Sequence, residues 1–91
     1  MKHILKIQCK YLMEILYEGK TFEIRKDDRG YEVGDIIHFV DPNGKEFPSF
    51  WRKVSFRINY ILRNVPQYGL DKDYCIFAIK RMDENDYEEN A

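Results

Sequence analysis

No run of apolar residues in this 91-residue chain approaches the roughly 20 needed to cross a bilayer as a helix. Its N-terminus lacks the basic start, apolar stretch and small-residue cleavage site of a signal peptide. Cysteine is scarce. Cys9 and Cys75 stand far apart, form no C-x-x-C pair, and with His3 and His38 lack the spacing of a structural zinc site. The expectation is therefore two buried free thiols in a reducing cytoplasm, with no metal and no cofactor. No internal repeat is present, and the length suffices for one small domain.

Basic residues are missing only at the C-terminal end. Residues 82–91 hold Asp83, Glu84, Asp86, Glu88 and Glu89 and no base. They account for five of the sixteen acids, so the rest of the chain carries fifteen bases against eleven acids, about +4. Such mild cationic character suits a phosphate-bearing partner. The acidic end has no apolar periodicity, which predicts a folded domain over 1–82 and a flexible acidic tail over 83–91.

What the chain does have is apolar material. Hydrophobic residues make up 44% and aromatics 15%, with seven Tyr and six Phe, enough for a core without staples. His3–Gln8 alternates as a strand, with Leu5 and Ile7 on one face and Lys6 on the other. From Cys9 to Glu18 the period changes: Leu12, Ile15, Leu16 and Gly19 repeat at three and four, the spacing of an amphipathic helix that Gly19 can end. Ile36–Val40 is a second apolar strand with His38 in its middle, read as a packed or partly exposed histidine rather than a catalyst, and Asp41-Pro-Asn-Gly44 is a turn. Phe47, Phe50 and Trp51 follow, either covering one end of the fold or offering a stacking surface. Arg52–Arg63 alternates at length and Tyr74–Lys80 is the last strand. About five strands and one early helix argue against parallel β-α-β units. A small, mostly antiparallel β-barrel with the helix packed on it fits better, because closure removes sheet edges.

The densest chemistry lies between Gly19 and Asp35, GKTFEIRKDDRGYEVGD. Over Thr21–Lys26 the period is two: Phe22 and Ile24 point one way, and Thr21, Glu23 and Arg25 the other. This predicts Phe22 and Ile24 in the core with Val54, Phe56, Ile58 and Leu62, and a charged outer face beside Lys20. Lys6, Lys20, Thr21, Glu23, Arg25, Lys26, Arg29 and Tyr31 are the candidate ligand-binding residues, with Lys20 and Glu23 the candidate acid–base pair if the protein is an enzyme. Arg25, Lys26 and Arg29 suit a phosphate or a base edge, Glu23 an exocyclic amine, and Tyr31 or Trp51 a stacked base. A purely structural role competes: Arg25 and Arg29 could pair with Glu23, Asp27, Asp28 and Asp35 and lock the turn, leaving the domain to dock another protein.

HILKI, EGKTFEIRKDDRGYEVGD, YILRNVPQYGL and YCIFAIK together resemble the small ASCH/PUA-like proteins, in particular a bacterial and phage group of unknown function with a K-T-F-E-I-R-K-x-D-R…G-D signature. The resemblance implies a PUA-like β-barrel, a cleft lined by the signature, and binding of RNA or a nucleotide-like ligand. Some small members are amidohydrolases acting on acylated cytidine, through a lysine in G-x-K-T-x-T-x-R, the second threonine of that segment, and a later glutamate. Lys20 and Arg25 match that segment. The second threonine falls on Glu23, and the only glutamate between Glu32 and the tail is Glu46.

Overall fold

The structure, a computed structural model, describes residues 1–82. The expected acidic tail, 83–91, lies outside the described residues. Five strands and one α-helix follow in the order β1 (Lys2–Lys6), α1 (Cys9–Tyr17), β2 (Phe22–Lys26), β3 (Ile36–Val40), β4 (Phe56–Leu62) and β5 (Tyr74–Arg81). They form a single mixed sheet of order β1-β3-β4-β5-β2, curled into a half-barrel. β1 and β3 run parallel, and the other three pairings are antiparallel.

The mostly antiparallel sheet and its early helix agree with the sequence; ring closure does not. After α1, Gly19 at φ +78° reverses the chain and sends β2 past β1 to pair with β5. β1 and β2 therefore become the two edges of the sheet. Arg29 partly covers the β1 edge by donating to the Ile4 carbonyl at 3.2 Å.

Leu5, Ile37, Ile58 and Phe77 are fully buried at the centre, with Leu12 of α1 packed over them. Met13, Ile15 and Leu16 pack against this core from the same helix, so the stripe read from the sequence is core. The turn at Asp41 is held by its own side chain, which accepts from the Asn43 and Lys45 N–H groups at 2.8 and 2.9 Å. Phe47 is buried, and Trp51 packs edge-on against it while donating to the Tyr17 hydroxyl at 3.1 Å. Phe47 and Trp51 thus pack on the core, as one of the two expectations had it, while the side chain of Phe50 lies outside the described residues. His38 is buried and bonded to the Glu46 carboxylate at 2.7 Å.

Three expectations about burial are corrected. Phe22 and Ile24 are exposed while Glu23 is buried, so β2 presents the opposite face to the core. The ladder fixes this register: Glu23 opposes Phe77 and Arg25 opposes Cys75, both fully buried. In β4 a bulge between Ile58 and Tyr60 absorbs Asn59 and reverses the alternation. Val54, Phe56 and Ile58 are core as expected, but Ile61 packs inward in place of Leu62. Finally, Cys75 is buried but Cys9, at the start of α1, is exposed.

Candidate functional site

The gap between the two sheet edges holds a hollow of about 520 Å³. β1 and the residues after it contribute Lys6, Ile7 and Gln8, α1 contributes Tyr11, and Lys20 with Phe22–Arg25 forms the opposite wall. The two walls are there because α1 carries the chain from one edge to the other within residues 7–21.

Backbone alternation shapes the β2 wall. Thr21 accepts from Ile79 N–H and Asp27 donates to the Asp73 carbonyl, so odd-numbered residues of this strand bond β5. Phe22, Ile24 and Lys26 consequently turn their backbone groups toward the open edge, two of them into the cleft.

Glu23 is the anchor of the site. Its side chain is only 7% exposed, yet it is a carboxylate, and isolation there would be costly. Two cations compensate it: Lys20 Nζ lies 3.3 Å from Oε1, and Arg25 Nε donates to Oε2 at 3.0 Å. Each partner side chain remains about a quarter exposed and can reach a ligand as well. Among the described residues Arg25 engages the carboxylate through Nε alone, which leaves the Nη edge of the guanidinium for an acceptor on a ligand. Lys20 is further held between rings, 5.4 Å from the centroid of Tyr11 and 5.6 Å from that of Phe22. With Lys6 the cleft carries three cations and one carboxylate, a formal +2. The first turn of α1 also opens here through Gln8 and Tyr11 and has no acid of its own, so the positive end of the helix dipole adds to the field.

Of the residues singled out from the sequence, Lys6, Lys20, Glu23 and Arg25 meet in this cleft. Thr21 lines a smaller hollow of about 220 Å³ with Ile15, Leu16 and Phe56. Lys26 and Arg29 are exposed outside the cleft lining. Tyr31 is buried against His3 and Phe77, with ring centroids 4.8 and 4.9 Å away, and cannot stack on a ligand. Burial pushes its hydroxyl pKa up, against the lowering pull of Arg29 and Arg25.

Asp35 and Asp27 of the signature are structural, with partners other than the arginines Arg25 and Arg29 that were expected. Asp35 accepts from Met1 N at 3.0 Å and the Glu32 N–H at 3.0 Å, and its Oδ2 lies 2.7 Å from His3 Nε2. Burial alone would raise its pKa, but the bonds from His3, the N-terminal ammonium and the Glu32 amide outweigh that and hold it below 3.8. Arg63 Nη2 pins the KDDR turn by donating to Asp27 Oδ1 at 3.2 Å and the Tyr31 carbonyl at 3.1 Å.

Gln8 and Tyr11 are the polar cleft residues that sequence reasoning missed, and the apolar Ile7, Phe22 and Ile24 line it as well. Tyr11 stands just off the helical stripe, beside Leu12, and only the placement of β2 reveals what it faces. Among the described residues no cluster of His, Cys, Asp and Glu could hold a metal ion, and no helix is long and apolar enough to cross a membrane.

The family model described as "Domain of unknown function (DUF3850)" matches residues 2–79, and the chain belongs to that family. No curated protein matches the chain.

Proposed function

We propose that this DUF3850 domain is a binding module for RNA or a nucleotide-like ligand, seated in the cleft between the two sheet edges. The observation that carries the proposal is the set of cations around an already neutralised carboxylate. Glu23 holds Lys20 and Arg25 in place, and their outward edges join Lys6 with charge to spare. A phosphate would take that surplus, with the Arg25 Nη edge offering a two-pronged contact. Tyr11 supplies a ring at the rim for a base, and the Gln8 amide offers one donor pair and one acceptor for its edge. The resemblance to ASCH/PUA-like proteins in the signature residues supports the same assignment.

Titration with nucleoside monophosphates and short single-stranded RNA at two salt concentrations tests the proposal. Affinity is expected to fall with salt, by about 0.7 log units per log unit of salt for each phosphate engaged. Lys6→Ala removes an exposed cation, worth about 1 kcal/mol or fivefold in affinity, while leaving the fold untouched. Tyr11→Ala is expected to cost about 1–3 kcal/mol of binding. No binding of any of these ligands at low salt would overturn the assignment.

A catalytic role has one observation in its favour: Lys20 and Glu23, the candidate acid–base pair, touch at 3.3 Å in the cleft wall. A positioned pair of this kind contributes typically 10²–10⁴-fold. Release of the acyl group from an acylated cytidine, lost in Lys20→Ala, would convert the binding module into an amidohydrolase.

A further inference from the structure

The sheet has a second apolar face, on the side away from α1. Directly opposed residues share a face, and the ladders set Phe22 and Tyr60 on either side of Ala78, and Ile24 and Leu62 on either side of Ile76. Tyr74, opposite Lys26, extends the row. α1 packs on the other side, where Ile15 and Leu16 meet Phe56 and Ile79. The outward row is therefore left to solvent: Phe22 is 44% exposed, Ile24 55%, Tyr60 62%, Leu62 37% and Tyr74 43%. Single exposed apolar side chains are ordinary, but a contiguous set is not. At about 150–250 Å² for a large side chain, five that are half exposed present on the order of 500 Å².

We propose that this face is the docking surface for a second copy of the chain, packed sheet against sheet as a two-fold dimer. Two such faces bury about 1,000 Å² of apolar surface before any rim is added, which reaches the size of a specific interface. A self-complementary contact needs only one patch, and the centre of this one carries no charge to repel its copy. Its ends select the orientation. Lys80, opposite Arg57, stands at one end and Tyr74, opposite Lys26, at the other. Strands running antiparallel across the interface set each Lys80 beside the partner ring of Tyr74, whereas a parallel arrangement sets the Lys80–Arg57 pair on its own copy, the more repulsive of the two. The face is also continuous with the cleft through Phe22, whose ring stands 5.6 Å from Lys20 Nζ. The proposal stands independently of what the cleft binds.

The test is sedimentation equilibrium of the full chain through the micromolar range, beside the variants Ile24→Lys and Tyr60→Lys. Both side chains lie outside the core, so circular dichroism and thermal unfolding of the monomer are expected to be preserved. The parent is expected to double in mass with concentration, and each variant to raise the dissociation constant at least about a hundredfold. A parent that stays monomeric overturns the proposal. So does a dimer that both variants retain, since it would use another surface. A chain ending at Met82 that dimerises where the full chain does not would assign the face to residues 83–91 instead, and overturn it equally.

Discussion

Removing both Lys20 and Arg25 is expected to destabilise the fold by more than the two single changes together. Glu23 sits with its side chain 7% exposed and divides its two oxygens between these cations. In Lys20→Ala or Arg25→Ala one cation remains against the carboxylate and can shift toward it. Each loss is then of the order of one net hydrogen bond, about 0.5–1.5 kcal/mol. In the double variant the buried charge has no compensation, and the cost rises to about 3–5 kcal/mol. That exceeds the additive sum by a coupling of the size contacting residues show, roughly 0.5–3 kcal/mol. A domain of this length holds on the order of 5–10 kcal/mol in total, and each kcal/mol moves the midpoint about 4–8 °C. The double variant should thus melt at least about 12 °C below the parent. Urea unfolding of the parent, two singles and the double completes the cycle, and Glu23→Gln in the double background should recover more than half the loss. A double variant that costs no more than the sum of the singles, within about 0.5 kcal/mol, would refute this account of the buried carboxylate.

Further outcomes follow from burial elsewhere in the sheet. Phe56→Ala, in the core at 3% exposure, is expected to cost about 3–5 kcal/mol in chemical denaturation. Asp35 has its pKa lowered in the fold, so its contribution is complete above the unfolded value of 3.8 and is lost as pH falls through the folded one. Asp35→Asn should accordingly flatten the stability profile below about pH 4, measured by thermal melts across acid pH. A thiol reagent should label Cys9 at once and Cys75 only after denaturation, because burial closes access to Cys75 and pushes its thiol pKa up.

Element positions were legible where local chemistry decides them. Ile36–Val40 matches its strand residue for residue, and the helix and last strand agree to within one residue. Asp41-Pro-Asn-Gly44 closes its turn with its own side chain. Facing was less legible. Alternation in β2 separates Phe22 and Ile24 from Glu23 and Arg25, but which set turns inward depends on β5, far away in sequence. The charged set can go inside because Lys20 and Arg25 neutralise Glu23 there, a compensation that periodicity does not encode. In β4 one inserted residue, Asn59, exchanges Leu62 for Ile61, and no residue type marks that bulge. Four of the eight residues proposed for the site share the cleft: Thr21 lines another hollow, Lys26 stands exposed outside the lining, and Arg29 and Tyr31 follow the chain away around the KDDR turn.

The strand order also dictates when this protein can fold while it is being made. Phe22 pairs with Ala78, 56 positions later in the chain, and β1 waits for β3 in the same way. At about 5–20 residues per second, the ribosome needs roughly 3–11 s to supply the partner of β2 after β2 itself. Throughout that interval the backbone groups of β2 that will bond β5 are unpaired and available to chaperones and to other nascent chains. The segment that builds half the cleft is thus synthesised early and seated last, and substitutions in β5 should lower soluble yield before they alter anything the cleft binds.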